Sequence, residues 1–348
     1  MGLFFCLKGG SRMKKLRFAL AVLALAAVCQ AGAQTSAEGP WWPSRWGPED
    51  QAGSSNWITP DKVMESIALV KTGKIYELGQ VYERGMPLYG KRTYSLFIPS
   101  SPTGGPMGNN DFVFHDELLV AEIGQVGTQF DGLGHVGRRL RMADGTTQDV
   151  FYNGFTAAEM RGDILTEQGP YGLDKLGVEQ VRPFITRGLL IDIAGYKGVA
   201  SLDHAYEVTV ADVRGALKKQ GMAESGINPG DALLFRYGWS IHWKDATKYN
   251  REPPGIGMEV AEWIVEKQPS MIGSDQWQTE VDQNPSNAAD KALGPVHLRL
   301  ITEEGIMNLE NMVFDTLVED EVYEFLFVFT PIRFKGATGS PGRPIAIR

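Results

Sequence analysis

The 348-residue sequence is 43% hydrophobic and 22% charged, the proportions of an ordinary globular chain, with a net charge of −8. An acidic surface repels nucleic-acid phosphates and anionic lipid, and no basic stripe with interleaved aromatics offsets it, so nucleic acid is excluded as a partner. Both cysteines, Cys6 and Cys29, fall near the N-terminus, which removes disulfide and thiol chemistry from the body of the chain.

The segment from Met13 to Gln34 starts with Lys14, Lys15 and Arg17, runs through a short apolar stretch and reaches Ala31-Gly32-Ala33, the pattern of a secretory leader cleaved after Ala33. The apolar run from Phe18 to Val28 is shorter than the ~20 residues needed to cross a bilayer, so stable membrane insertion is not expected. Residues 1–33 are therefore read as a signal peptide and the protein as periplasmic or secreted. Their loss leaves 29 Lys and Arg against 42 Asp and Glu, a net charge of −13.

Residues 34–58 form an irregular arm rich in Trp, Pro and Gly. Its four tryptophans can pack on the chain's own body, cap a neighbouring subunit or line a pocket, and the first is the commonest fate. Thr59 and Pro60 then start a helix that Gly73 is expected to end. From Tyr76 to Arg141 short extended runs between Gly and Pro predict antiparallel structure. "RGLLIDIAG", "GDALLFRYGW", "SMIGSDQW" and "EFLFVFTPIRFKG" read as apolar strands, and "TVADVRGALKKQG" and "GMEVAEWIVEKQ" as amphipathic helices between them. Helices between buried strands predict an α/β layer, and the absence of repeats or a charged linker predicts one catalytic domain over 59–348.

"GQVGTQFDGLGHVG", residues 124–137, gathers Gln125, Thr128, Gln129, Asp131 and His135 between glycines. Such donors suit a divalent ion if the backbone folds tightly, although a polar loop satisfying itself accounts for the composition equally well. The stretch resembles the signature H-x-G-T-H-x-D-x-P-x-H of the cyclase family, the metal-dependent hydrolases related to kynurenine formamidase and isatin hydrolase. In that alignment Gln125, Gln129 and His135 stand at the three histidine positions, Asp131 at the aspartate and Leu133 at the proline, with Gly127 and Thr128 matching. "YNGF", "PGIGMEVAEWIVEKQPSMIGSDQW" and "FTPIRFKGATGSPGRPIAIR" resemble further family blocks in order, and "HLRLITEEGIMNLENM" resembles the second metal-site element, with His297 and Glu310 in the matching places.

The resemblance implies an α/β, swivelling-type layered fold with a mixed sheet, a homodimer or homotetramer, a small-molecule substrate and hydrolysis of a carbon–nitrogen bond in an amide, formamide or cyclic amide. It implies a divalent metal, manganese or zinc and one ion or two, with Asp131, His297 and Glu310 as ligands and Gln125 and Gln129 beside them. A carboxamide oxygen is a poor zinc donor and suits harder cations better. His135 is the expected proton carrier, with Glu310 either on the metal or orienting His135, and Phe130, Trp239 and His242 are expected at the substrate. His115 and His204 read as ordinary polar histidines, and Asp275 and Asp282 as structural or pocket-forming. Arg236, ending an apolar strand, calls for a carboxylate partner. The rival readings are a lyase, dehydratase or lactone-acting cyclase on the same scaffold, and a metal-free periplasmic binding protein.

Overall fold

Residues 39–161, 172–281 and 293–348 are described by the computed structural model, so the leader over residues 1–33, the start of the arm and Asp282 lie outside the described residues. Nine short segments hydrogen-bond into one mixed sheet: β1 (Ile75–Glu77), β2 (Gln129–Asp131), β3 (Phe184–Asp192), β4 (Ala232–Arg236), β5 (Met271–Ser274), β6 (Met307–Glu310), β7 (Glu324–Phe329), β8 (Gly339–Pro341) and β9 (Ile345–Ile347). Their order is β1-β9-β7-β3-β4-β5-β6-β2-β8. The run β3-β4-β5-β6 is parallel and every other pairing is antiparallel.

The central strands are apolar on both sides because both sides are covered. Alternate residues divide between two cores: Leu189, Ile191, Leu233, Phe235 and Ile272 belong to one, and Leu190, Ala232, Leu234, Met271 and Leu309 to the other. On the first face lie α2 (Val210–Lys219) and α3 (Met258–Lys267), which contribute Val213, Leu217, Val260 and Ile264. Thr209 caps α2 by accepting from the Asp212 N–H, a reciprocal box that fixes where the helix starts. The second face carries Phe130, Phe184 and Phe329, whose ring centroids lie 5.3–6.2 Å apart.

The helix after the arm, α1 (Pro60–Ile67), is capped by Thr59 as expected but ends well before Gly73. The tryptophan-rich arm takes the commonest of its three fates. Trp42 is buried, Ser54 N–H bonds to the Gly305 carbonyl at 2.9 Å, and the Asn153 amide donates to the carbonyls of Gly47, Pro48 and Asp50. The region from Tyr76 to Arg141 contains antiparallel ribbons, among them Tyr94–Phe97 with Leu118–Ala121. Among the described residues no helix is long and apolar enough to cross a membrane.

Candidate metal centre

The site is built by strand alternation. β2 places Gln129 and Asp131 on one face and Phe130 on the other. Its antiparallel neighbour β6 sets Glu310 opposite Gln129 and Asn308 opposite Asp131, so four polar side chains share one face. Two glycines make the approach possible. A Cβ on Gly124 would lie 2.6 Å from the backbone of Gly339, and Gly127 has a left-handed φ of +64° beneath the Tyr82 ring.

A third element completes the cluster. Gly294 and Pro295 begin the turn Pro295–His297, which continues as a π-helix from Leu298 to Glu303. That turn brings His297 over the strand pair: its Nε2 lies 3.4 Å from Glu310 Oε1 and 3.7 Å from Asp131 Oδ2. One ligand atom from each of Asp131, His297 and Glu310 can be chosen so that all lie within 4.8 Å of one another. Asp131 and Glu310 are each 1% exposed.

Around these three, other side chains fix geometry. Glu280 bonds His297 Nδ1 with one oxygen and accepts the Val296 N–H with the other at 2.9 Å. Glu310 accepts from the Gln129 amide and from the Asn308 amide, both at 2.7 Å. Asn308 in turn accepts from the Thr279 hydroxyl at 2.8 Å. Gln125 donates to Asp131 at 3.2 Å and accepts from Arg92 at 3.3 Å, while His135 Nε2 lies 3.7 Å from Asp131. Glu310 contacts His297 and the two amides, and orienting His135 falls to Asp131 instead.

The electrostatics fit a cation. With Nδ1 donating to Glu280, the His297 Nε2 faces two carboxylates, and only a proton or a positive ion relieves that contact. In the absence of an ion, protons serve. Burial works against a charged His297, but Glu280, Asp131 and Glu310 together hold it well above the usual imidazole range. Burial, and then the Asp131 charge, push Glu310 up to about 8. Burial would also raise Asp131, yet His135, His297 and Gln125 hold it below its ordinary value. His135 goes the other way, lowered chiefly by burial. Two carboxylates and one imidazole in a dry cluster are a donor set suited to a divalent ion.

This cluster opens into a cavity of about 450 Å³, lined near its mouth by Tyr89, Arg92 and Trp277. Tyr89 stacks on Trp277 with centroids 4.0 Å apart, and the Arg92 guanidinium lies over the other side of the Tyr89 ring. Gln125, Gln129, Asp131, His135, His297 and Glu310 all line it. Three residues expected at the substrate do not. Phe130 is fully buried on the opposite face of β2, because it alternates with two inward-facing polar residues. Trp239 is 1% exposed and donates to the Tyr249 carbonyl from within the helix-side core. His242 packs edge-on against Trp239 and does not line this cavity.

His115 bonds Ser101 and His204 bonds the Arg251 carbonyl, both away from the cluster. Arg236 finds its carboxylate in Asp192 at 2.8 Å. Asp275 is fully buried, accepts the Tyr237 N–H at 2.8 Å and is pushed by burial up to about 6, a structural position. Glu280, Asn308, Arg92 and Tyr89 were missed by the sequence reading.

A family model described as "Putative cyclase" matches residues 76–281, a span that contains Gln125 to His135 and Glu280 and stops before His297 and Glu310. No curated protein matches the chain. Among solved structures the chain is similar to one described as a novel cyclase, with a TM-score of 0.74 and 29% identity over 88% of this chain and 99% of that one. It is also similar in fold to isatin hydrolase A from Ralstonia solanacearum, TM-score 0.55 and 18% identity over 79% and 92% of the two chains. Isatin hydrolase A from Labrenzia aggregata gives a TM-score of 0.52 at 17% identity, covering 82% and 97%.

Proposed function

Because this chain belongs to the cyclase family, we propose that it is a metal-dependent hydrolase that cleaves a carbon–nitrogen bond in an amide, formamide or cyclic amide. The observation that carries this reading is the convergence of Asp131, His297 and Glu310 at the floor of a cavity large enough for a small molecule. When bound, a divalent ion supplies Lewis-acid polarisation of a substrate carbonyl and makes water more acidic. Two carboxylates favour manganese over zinc as that ion.

The protein's own groups do the rest. Asp131, His297 and Glu310 hold the ion, Glu280 fixes the ring of His297, and the Gln129 and Asn308 amides fix both oxygens of Glu310. His135, kept neutral by burial, takes the proton of the attacking water and returns it to the departing nitrogen as the C–N bond breaks. The leader read from the sequence supports placing this reaction outside the cytoplasm.

One observation favours a different reading. The Gln129 and Gln125 amides already donate to Glu310 and Asp131, which partly satisfies the carboxylates without an ion and suits a metal-free binding protein. Metal analysis of the purified protein, beside Asp131→Ala and His297→Ala, separates the two. Near-stoichiometric manganese that both variants lose, with turnover of an aryl formamide or a cyclic amide, supports the hydrolase. A protein that takes up no manganese or zinc on incubation refutes it, and turnover of a lactone alone moves the reaction to another bond.

A further inference from the structure

The segment Tyr94–Ala121 places its apolar side chains unlike the sheet and its cores. It forms two consecutive lengths of antiparallel ribbon, Tyr94–Phe97 with Leu118–Ala121 and, farther out, Gly104–Met107 with Phe112–Phe114. Nine large apolar side chains between Leu96 and Val120 are each 41–54% exposed. Register sets Leu96 opposite Leu119 and Phe97 opposite Leu118, and neighbours along a strand point to opposite sides. Both faces of the ribbon are therefore apolar and open. A ribbon with one wet face alternates apolar with polar residues, and an isolated two-stranded ribbon is marginal in water. An apolar surface of this extent marks an interaction site.

Area and charge identify the occupant. Side chains of this size cover up to ~150–250 Å² when buried, and about half of that is still open on each, so nine of them offer roughly 800 Å². That is the contribution of one partner to a stable interface, about 800 Å² per side. The outer part of the arm carries Asp111, Asp116 and Glu117, and no Lys or Arg occurs between Tyr94 and Ala121. At its base Arg84 and Lys91 are exposed and form no ion pair among the described residues. An arm that is acidic outside and basic at its root complements a second arm laid antiparallel to it, the self-complementarity that a two-fold interface requires. The same acidic surface is repelled by an anionic leaflet.

We propose that the Tyr94–Ala121 arm is the surface through which two copies of this chain pair about a two-fold axis. Tyr89 and Arg92, at the root of the arm, line the cavity, so pairing also braces the mouth of the site. Light scattering and sedimentation equilibrium on the purified protein test this. The expected species has twice the chain mass, and Phe97→Asp combined with Leu119→Asp weakens pairing at least ~100-fold with an unchanged far-ultraviolet circular dichroism spectrum. Arg84→Glu with Lys91→Glu weakens it about tenfold, and adding Asp116→Lys with Glu117→Lys restores it. A wild-type monomer at every concentration, a dimer untouched by the apolar variant, or binding to phosphatidylcholine vesicles in place of self-association overturns the proposal.

Discussion

Glu280 holds His297 in place, and two substitutions at this position separate what its charge does from what its shape does. The carboxylate is 4% exposed and divides its oxygens between His297 Nδ1 and the Val296 N–H. Donation from Nδ1 fixes the tautomer and leaves Nε2 aimed between Asp131 and Glu310, at 3.7 Å and 3.4 Å. Glu280→Gln keeps an acceptor oxygen but removes the negative charge that makes the imidazole a stronger donor. Glu280→Ala removes both and strands the Val296 N–H. Losing such a supporting group costs about 10–100-fold in metal affinity. The expected losses are about tenfold for Gln and about 100-fold for Ala, or about 1.4 and 2.7 kcal/mol. The Ala variant also loses about 1–3 kcal/mol of folding stability through the orphaned N–H. Manganese titration calorimetry on metal-free protein, with urea unfolding alongside, reads both quantities. A Glu280→Ala protein that binds manganese within twofold of wild type refutes the orienting role.

Four further outcomes are expected. Ion uptake must displace protons from His297, held well above the usual imidazole range, and from Glu310 at about 8, so manganese affinity rises with pH up to and through about 8. Calorimetry in buffers of different ionisation enthalpy should detect the released protons, and an affinity flat from about pH 6 to 9 contradicts the proton-filled site. Phe130→Ala should cost ~3–5 kcal/mol in urea unfolding and leave substrate KM unchanged, and the reverse pattern would return Phe130 to the substrate. Gln129→Ala should lower manganese affinity by no more than about tenfold, whereas Asp131→Ala should abolish stoichiometric binding; equal losses would make Gln129 a true ligand. Gly124→Ala forces a Cβ to 2.6 Å from the Gly339 backbone and should destabilise the protein by ~1–3 kcal/mol, while an unchanged melting temperature would mean the two chain segments separate at no cost.

The central strands were legible because they are apolar on both faces: "RGLLIDIAG" and "GDALLFRYGW" became β3 and β4 with their ends displaced by a few residues. β2, only three residues long and mostly polar, carries no such signal. Its alternation still held information. Once Gln129 and Asp131 are taken as inward, period two sends Phe130 to the other face, and the expectation that it touches substrate fails on that ground alone. Trp239 and His242 failed for a related reason, since proximity in sequence to a strand end does not say which side of the following 3₁₀ turn faces the cavity.

Glu280 shows what a linear reading lacks. It lies 17 residues before His297 and inside "GSDQWQTEVD", where the aspartates drew attention, and nothing in its neighbours distinguishes it from a surface glutamate. Its importance comes from the turn at Gly294 and Pro295 that returns the chain to it, a tertiary event with no local pattern. The glutamines pose the converse case. Sequence marked Gln125 and Gln129 as departures from a histidine motif, but only the pairing of β2 with β6 gives them a physical task, that of amide donors to Asp131 and Glu310. An imidazole at Gln129 would offer the ion a nitrogen, whereas the amide N–H aimed at Glu310 spends its interaction on a carboxylate. The exchange moves two positions from holding an ion to shaping the groups that hold it, which concentrates the metal chemistry on Asp131, His297 and Glu310.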